Sequence, residues 1–183
     1  MSRDTLLITS LDELFADRSI KNCLDSNNAV QLVVYEGKNG KASIKTLEDE
    51  TSIVGLSVQN SAKKKIYLFA LDHCFFKDHE DARCDCIVFD DHCLCFVELK
   101  LNVRPRRAAQ ELRSARRQLG VTIQFFKAAL LPRSKNFFNF TLEAYVVMET
   151  MVYPRKRASR DAVFVKFLED FGVELYEQNW KSF

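Results

Sequence analysis

The sequence predicts an α/β fold, a mixed β-sheet flanked by helices. Three observations predict it. Short runs rich in β-branched and aromatic residues recur at 29–36, 65–71, 83–89, 92–101 and 137–148, as strands require. One long run, from Pro105 to about residue 131, instead repeats its apolar residues every 3.6 positions, as a helix does. The 183 residues are 47% hydrophobic and 28% charged, enough for one core, so a single domain over 1–183 is expected. Those proportions exclude a disordered chain, a collagen-like chain and a small disulfide scaffold. Every apolar run falls short of the ~20 residues a membrane span needs. The N-terminal segment lacks the apolar stretch and cleavage site of a secretory signal. A cytoplasmic protein with reduced thiols and no membrane partner is therefore expected.

The elements follow in order. Ser10 and Glu13 have the capping-box spacing, and Leu11, Leu14, Phe15, Ile20 and Leu24 continue as an apolar stripe, which predicts a first helix over 11–25. Asp25 to Asn28 reads as a turn. Residues 29–36 (AVQLVVYE) read as a strand, Gly37 to Gly40 as a turn, 42–48 as a returning strand and 65–71 (KIYLFAL) as a third. Segment 72–82 is polar and irregular. The stretch RCDCIVFDDHCLCFVELKLN reads as two strands, 83–89 and 92–101, joined by Asp90 and Asp91. Pro105 suits the first turn of the next helix, and Ala108, Leu112, Ala115, Leu119, Ile123, Phe126 and Leu130 carry its period. Gly120 is a weak point inside it. Residues 137–148 make a further strand, Tyr153 to Arg157 a basic loop, 160–171 a last helix closed by Gly172, and 173–176 a short strand.

The hairpin of residues 83–101 carries the chemistry. A two-residue turn pairing Phe89 with His92 sets Cys86 opposite Cys95 and Asp85 opposite Phe96. Side chains alternate across a sheet. Asp85, Ile87, Phe89, Leu94, Phe96, Glu98 and Lys100 then share one face, and Cys84, Cys86, Val88, Cys93, Cys95 and Val97 the other. Asp85 falls diagonal to Glu98, within reach of a shared ion. Carboxylate oxygens so placed suit Mg²⁺ or Mn²⁺. A lysine beside them can stabilise developing negative charge, or orient or activate a water. The combination fits phosphodiester hydrolysis. The competing reading of Glu98 and Lys100 is a solvated ion pair on an edge strand, worth about 0.5 kcal/mol.

Asp85, twelve intervening residues, then Glu98-Leu99-Lys100, set in a strand–strand–helix–strand order, resembles the core of the PD-(D/E)XK nuclease superfamily. The resemblance covers roughly residues 65–150 and implies a restriction-endonuclease-like fold with an α-β-β-β-α-β core. It implies Asp85 and Glu98 as ligands of the catalytic Mg²⁺ (or Mn²⁺) and Lys100 as a catalytic residue. The superfamily's proline before the Asp is replaced by Cys84. Some branches carry a glutamine on the following helix that reaches the active site, a part that Gln118 would take, with Gln110 as the alternative. Glu13, His73, His79, Glu80 and Asp81 are further candidates that the residues alone do not decide between. The implied activity is a metal-dependent DNA endonuclease, in defence or repair, working as a homodimer or as a subunit of a larger complex. The alternative is a catalytically silent nuclease-like subunit that binds nucleic acid or scaffolds an assembly.

The net charge of +2 hides an uneven distribution. Residues 104–117 hold six arginines against the single acid Glu111. Arg104, Arg106, Arg107, Arg113 and Arg117 are the expected nucleic-acid contacts, since clustered cations release counterions from a phosphate backbone. The competing reading is a solvated helix face. Of the six cysteines, Cys84, Cys86, Cys93 and Cys95 are spaced as Cys-x-Cys on strands rather than as zinc knuckles on turns. They are expected to be core residues under a helix, with a zinc-binding module as the competing reading.

Overall fold

The computed structural model describes residues 2–16, 20–47, 54–76, 83–132, 139–149 and 158–183. In chain order the elements are α1 (Arg3–Leu14), β1 (Leu24–Asn27), β2 (Gln31–Glu36), β3 (Ala42–Thr46), β4 (Leu56–Gln59), β5 (Ile66–Ala70), β6 (Cys86–Phe89), β7 (Cys93–Lys100), α2 (Ala108–Leu130), β8 (Thr141–Met148), α3 (Ala158–Phe171), β9 (Glu174–Glu177) and β10 (Trp180–Ser182). The basic loop at 153–157, together with His79, Glu80 and Asp81, lies outside the described residues.

The strands IYLFA and CIVF are apolar at every position, which a strand tolerates only when both sheet faces are covered. They occupy the middle of a six-stranded sheet of order β1-β5-β6-β7-β8-β9. Its first four strands pair antiparallel, and β8 and β9 then add in parallel. One face packs Phe69, Phe89, Phe96, Val146 and Leu175 against Leu7 and Leu11 of α1, Leu112, Leu119 and Phe126 of α2, and Phe167 of α3. The other face packs Leu68, Val88, Cys95 and Val97 against Leu32, Val34 and Leu56 of a second sheet. That sheet has the order β10-β4-β2-β3. The architecture is mixed α/β in three layers, helices over a six-stranded sheet over a four-stranded sheet.

The many phenylalanines fill the helix side. Phe126 lies edge-on to Phe125 at 5.3 Å and within 6.4 Å of Phe69 and 6.1 Å of Phe96. Phe15, Phe75 and Phe76 extend the cluster to the end of α1 and the turn after β5. Each ring pair adds about 0.5–1.5 kcal/mol beyond the area it buries.

Several expectations are corrected. The first helix spans Arg3–Leu14, not 11–25, and starts at Ser2 rather than at the Ser10/Glu13 box. Its buried stripe is Leu7 and Leu11, while Ile20 belongs to a short turn and Leu24 to β1. Residues 25–28, expected as a turn, lie largely in β1, an edge strand whose Asp25 and Ser26 face solvent. Strands β4 and β10 were not expected, because segments of four and three residues show too little periodicity. The cysteine face of the hairpin is covered by the second sheet rather than by a helix. Cys84 packs on the helix side instead, where its backbone N–H donates to Thr122 Oγ1 at 2.9 Å. Finally, Cys23 and Cys74 form a disulfide across 51 positions, against the expectation that all thiols are reduced.

The long helix runs unbroken through Gly120. A Cβ there would stand 2.3 Å from the Phe171 ring of α3, so glycine is what lets the two helices approach. No described helix is long and apolar enough to cross a membrane.

Candidate active site

The site is built where β6 begins and β7 ends. In the observed register Ile87 faces Phe96 and Cys86 faces Val97, two residues further along than the two-residue turn implied. Asp90 explains the longer connection. Its carboxylate accepts the backbone N–H groups of His92 (2.8 Å) and Cys93 (2.7 Å) and the Lys64 ammonium (2.7 Å), which folds the turn around one buried side chain. Continuing this register by one residue sets Asp85 directly opposite Glu98 rather than diagonal to it. Asp85 Oδ2 accepts the N–H of Leu99 at 2.5 Å, locking the two strands at that level.

Around this pair the structure brings together Asp85, Glu98, Lys100 and Gln118. Lys100 Nζ lies 2.7 Å from Glu98 Oε1 and 3.0 Å from Gln118 Oε1. Gln118 is anchored in turn, since its Nε2 donates to the carbonyl of Arg83 at 3.1 Å and its Oε1 accepts the Ser114 hydroxyl at 3.3 Å. One helix face thus reaches both the lysine and the segment leading into β6. Gln110 is exposed. Glu98 is 1% exposed on a central strand, which removes the reading of a solvated pair on a sheet edge.

The electrostatics are those of two acids forced together. Burial pushes Asp85 up to about 6, with the Leu99 N–H and Lys100 pulling the other way. Burial and the neighbouring Asp85 drive Glu98 well above the usual carboxylate range. Burial opposes the charge on Lys100, but Glu98 and Asp85 outweigh it and its pKa rises, so it remains an ammonium ion. Glu98 Oε2 is buried and has no hydrogen-bond partner among the described residues. A buried carboxylate oxygen left unpaired is costly. Asp85 and Glu98 therefore fit a hard divalent cation, which would cancel their repulsion and take up that oxygen.

Two further acids act on the pair that sequence reasoning had not singled out. Asp72 raises the pKa of both Asp85 and Glu98, and Glu36 raises that of Asp85. The turn carrying Asp72 is stapled to the site, because the N–H groups of Leu71 (2.9 Å) and Asp72 (3.2 Å) both donate to the carbonyl of Asp85. The only signal in the sequence was the acid count of the polar segment after residue 71. Glu13 is exposed on α1 and takes no part that the structure reveals.

Beside Lys100 opens a cavity of about 510 Å³ lined by Asn102, Arg104, Arg107 and Glu111 together with Leu99 and Val103. Arg104 and Arg107 thus share a wall with the lysine. Arg106, Arg113 and Arg117 are exposed elsewhere on the same stretch. Arg116, the sixth arginine of the stretch, is half-buried and binds Glu177 of β9 through Nε at 2.9 Å. On the opposite face of β7, Cys93, Cys95 and Glu143 form a second cluster, with ligand atoms all within 4.8 Å of one another. The chain matches no family model, no curated protein and no solved structure at a significant level.

Proposed function

We propose that the protein is a metal-dependent nuclease that hydrolyses phosphodiester bonds, with DNA as its substrate, and that its fold elaborates the restriction-endonuclease-like one. One observation carries the reading: a buried Glu98, one oxygen held by Lys100 and the other unpartnered among the described residues, set opposite Asp85 beside an arginine-lined cavity. The order β5-β6-β7-α2-β8, antiparallel through β7 and then parallel to β8, supports the fold assignment. Asp85 and Glu98 would hold Mg²⁺ or Mn²⁺, which when bound would supply a polarised water and neutralise phosphate charge. Lys100 has three N–H groups, one directed to Glu98 and one to Gln118. The third is left for a phosphate oxygen, so the lysine acts as a fixed cation rather than as a base. Gln118 positions it. Arg104 and Arg107 would grip the flanking backbone.

The test is cleavage of double- and single-stranded DNA by the purified protein with Mg²⁺ or Mn²⁺. Glu98→Ala and Lys100→Ala should each abolish cleavage while circular dichroism shows an intact fold. If both variants cut as well as wild type, the site assignment is wrong. Binding of DNA without cleavage at any metal concentration would instead point to the silent, nucleic-acid-binding subunit.

A further inference from the structure

From the second cluster we infer that the chain has a thiolate site for a single zinc ion, made by Cys93 and Cys95 of β7 and Glu143 of β8. The inference is independent of the nuclease reading. Residues 93 and 95 lie on one face of the strand, and Glu98 lies on the other. Parallel pairing sets Cys95 level with Glu143, so all three ligands converge between the two sheets.

The distances are those a tetrahedral ion needs. Zinc binds sulfur at about 2.3 Å and carboxylate oxygen at about 2.0 Å, which makes tetrahedral edges of about 3.8 Å for S···S and about 3.5 Å for S···O. The structure places Cys93 Sγ 3.6 Å from Cys95 Sγ, and Cys95 Sγ 3.6 Å from Glu143 Oε2. The Tyr145 hydroxyl at 2.9 Å and Lys181 Nζ at 2.7 Å both donate to that same Oε2 and fix the carboxylate in place, and the ion would share this oxygen with them or take Oε1 after a small rotation. Such outer partners orient a ligand for its metal.

The charges also balance. Loading forms two Zn–S bonds and one Zn–O bond and releases two thiol protons to water. Zn²⁺ with two thiolates and one carboxylate carries a net charge of −1, and Lys181 brings the group to neutrality, as a largely buried site requires. The three protein ligands leave a fourth position, which a water would fill. Two thiolates select a soft or borderline ion, so Mg²⁺ does not compete. The ion would staple the neighbouring strands β7 and β8 of the six-stranded sheet, and Lys181 of β10 reaches its carboxylate from the four-stranded one.

The experiment is a Co²⁺ titration of the purified, metal-stripped full chain, read by the thiolate-to-cobalt charge-transfer absorption and followed by displacement with Zn²⁺. One equivalent of Co²⁺ should develop the band, and one equivalent of Zn²⁺ should abolish it. Glu143→Gln should weaken Zn²⁺ binding tenfold or more, and Cys93→Ser with Cys95→Ser should remove the band. Cys86→Ser, a buried thiol outside the cluster, should leave it intact, as should Glu98→Ala in the acid site. A wild-type chain with no charge-transfer band overturns the inference whether or not the cysteine variants fold. So does a band that survives in the double cysteine variant.

Discussion

Asp85→Asn in the metal-free protein tests whether the two carboxylates are held against their own repulsion. Moving a carboxyl from its ordinary value near 3.8 to about 6 corresponds to about 3 kcal/mol of strain on the ionised form. The sign follows from linkage. The folded chain binds the Asp85 proton more tightly than the unfolded chain, so stability falls as pH rises. The penalty is absent below about 3.8 and complete above about 6. Asparagine keeps an oxygen for the Leu99 N–H, removes the charge and relieves Glu98 opposite. At pH 7.5 the variant should gain about 1–3 kcal/mol, or roughly 3–10 °C in Tm for a chain of this size. At pH 4 the gain should vanish. Adding Mg²⁺ at a hundredfold excess over its Kd should stabilise wild type by about 2.7 kcal/mol and the variant much less. The assay is thermal denaturation with and without chelator at the two pH values. A variant destabilised equally at both, with the same response to Mg²⁺ as wild type, would refute the idea that Asp85 is a desolvated metal ligand.

Three further outcomes are expected. Gln118→Ala removes the acceptor that fixes Lys100 and should lower kcat for DNA cleavage about 10–100-fold with KM little changed, since the change is one of positioning; an equal rise in KM would point to substrate contact instead. Gly120→Ala should destabilise by about 1–3 kcal/mol in chemical denaturation, because the clash with Phe171 outweighs alanine's better helix propensity; a more stable variant would mean that α2 and α3 pack differently. Arg104→Gln and Arg107→Gln should each reduce the slope of log affinity for duplex DNA against log salt by about 1, whereas Arg116→Gln should leave the slope alone and cost stability, because the ion pair between Arg116 and the buried Glu177 is lost.

The elements that sequence patterning anticipated are those whose periodicity is long. Seven apolar positions at helical spacing placed α2 to within three residues at its start, where Pro105–Arg107 form a tighter turn, and one at its end. Gly172, with φ of +61°, ends α3 where a left-handed residue was needed. Patterning failed where an element is short or its stripe is shared. The stripe from Leu11 to Leu24 merged the end of α1, a turn and the start of β1, because each contributes one or two apolar residues to the same core. The four-stranded sheet was only half visible. Its members β4 and β10 are too short to show alternation, and β10 finds β4 only through parallel pairing at the far end of the chain. Without that sheet, the cysteine face of the hairpin had no cover but an imagined helix, and the cluster around Glu143 could not be foreseen. The Cys23–Cys74 bridge was hidden for the same reason, since it depends on a turn after β5 that spacing does not specify.

The candidate site, by contrast, was legible despite an incorrect register. Pairing Phe89 with His92 rather than with Leu94 moves the partner strand by two residues. A slip of one would have sent Glu98 and Lys100 to the other face, among the cysteines. A slip of two preserves every face and changes only the level, turning a diagonal Asp85–Glu98 neighbour into an opposed one. The opposed geometry is the more demanding arrangement, because it presses both carboxylates into one buried position where neither ionises freely. Beyond the Leu99 N–H bond to Asp85, folding alone gains nothing from that placement. Lys100 neutralises one negative charge, Gln118, itself bonded by Ser114, holds the lysine in place, and one carboxylate oxygen is still left without a partner among the described residues. A fold that needed only a core could have filled the same space with apolar side chains at lower cost. The leftover oxygen and the unbalanced charge are what a divalent cation would satisfy. The metal-dependent gain in stability is therefore the measurement on which the functional reading turns.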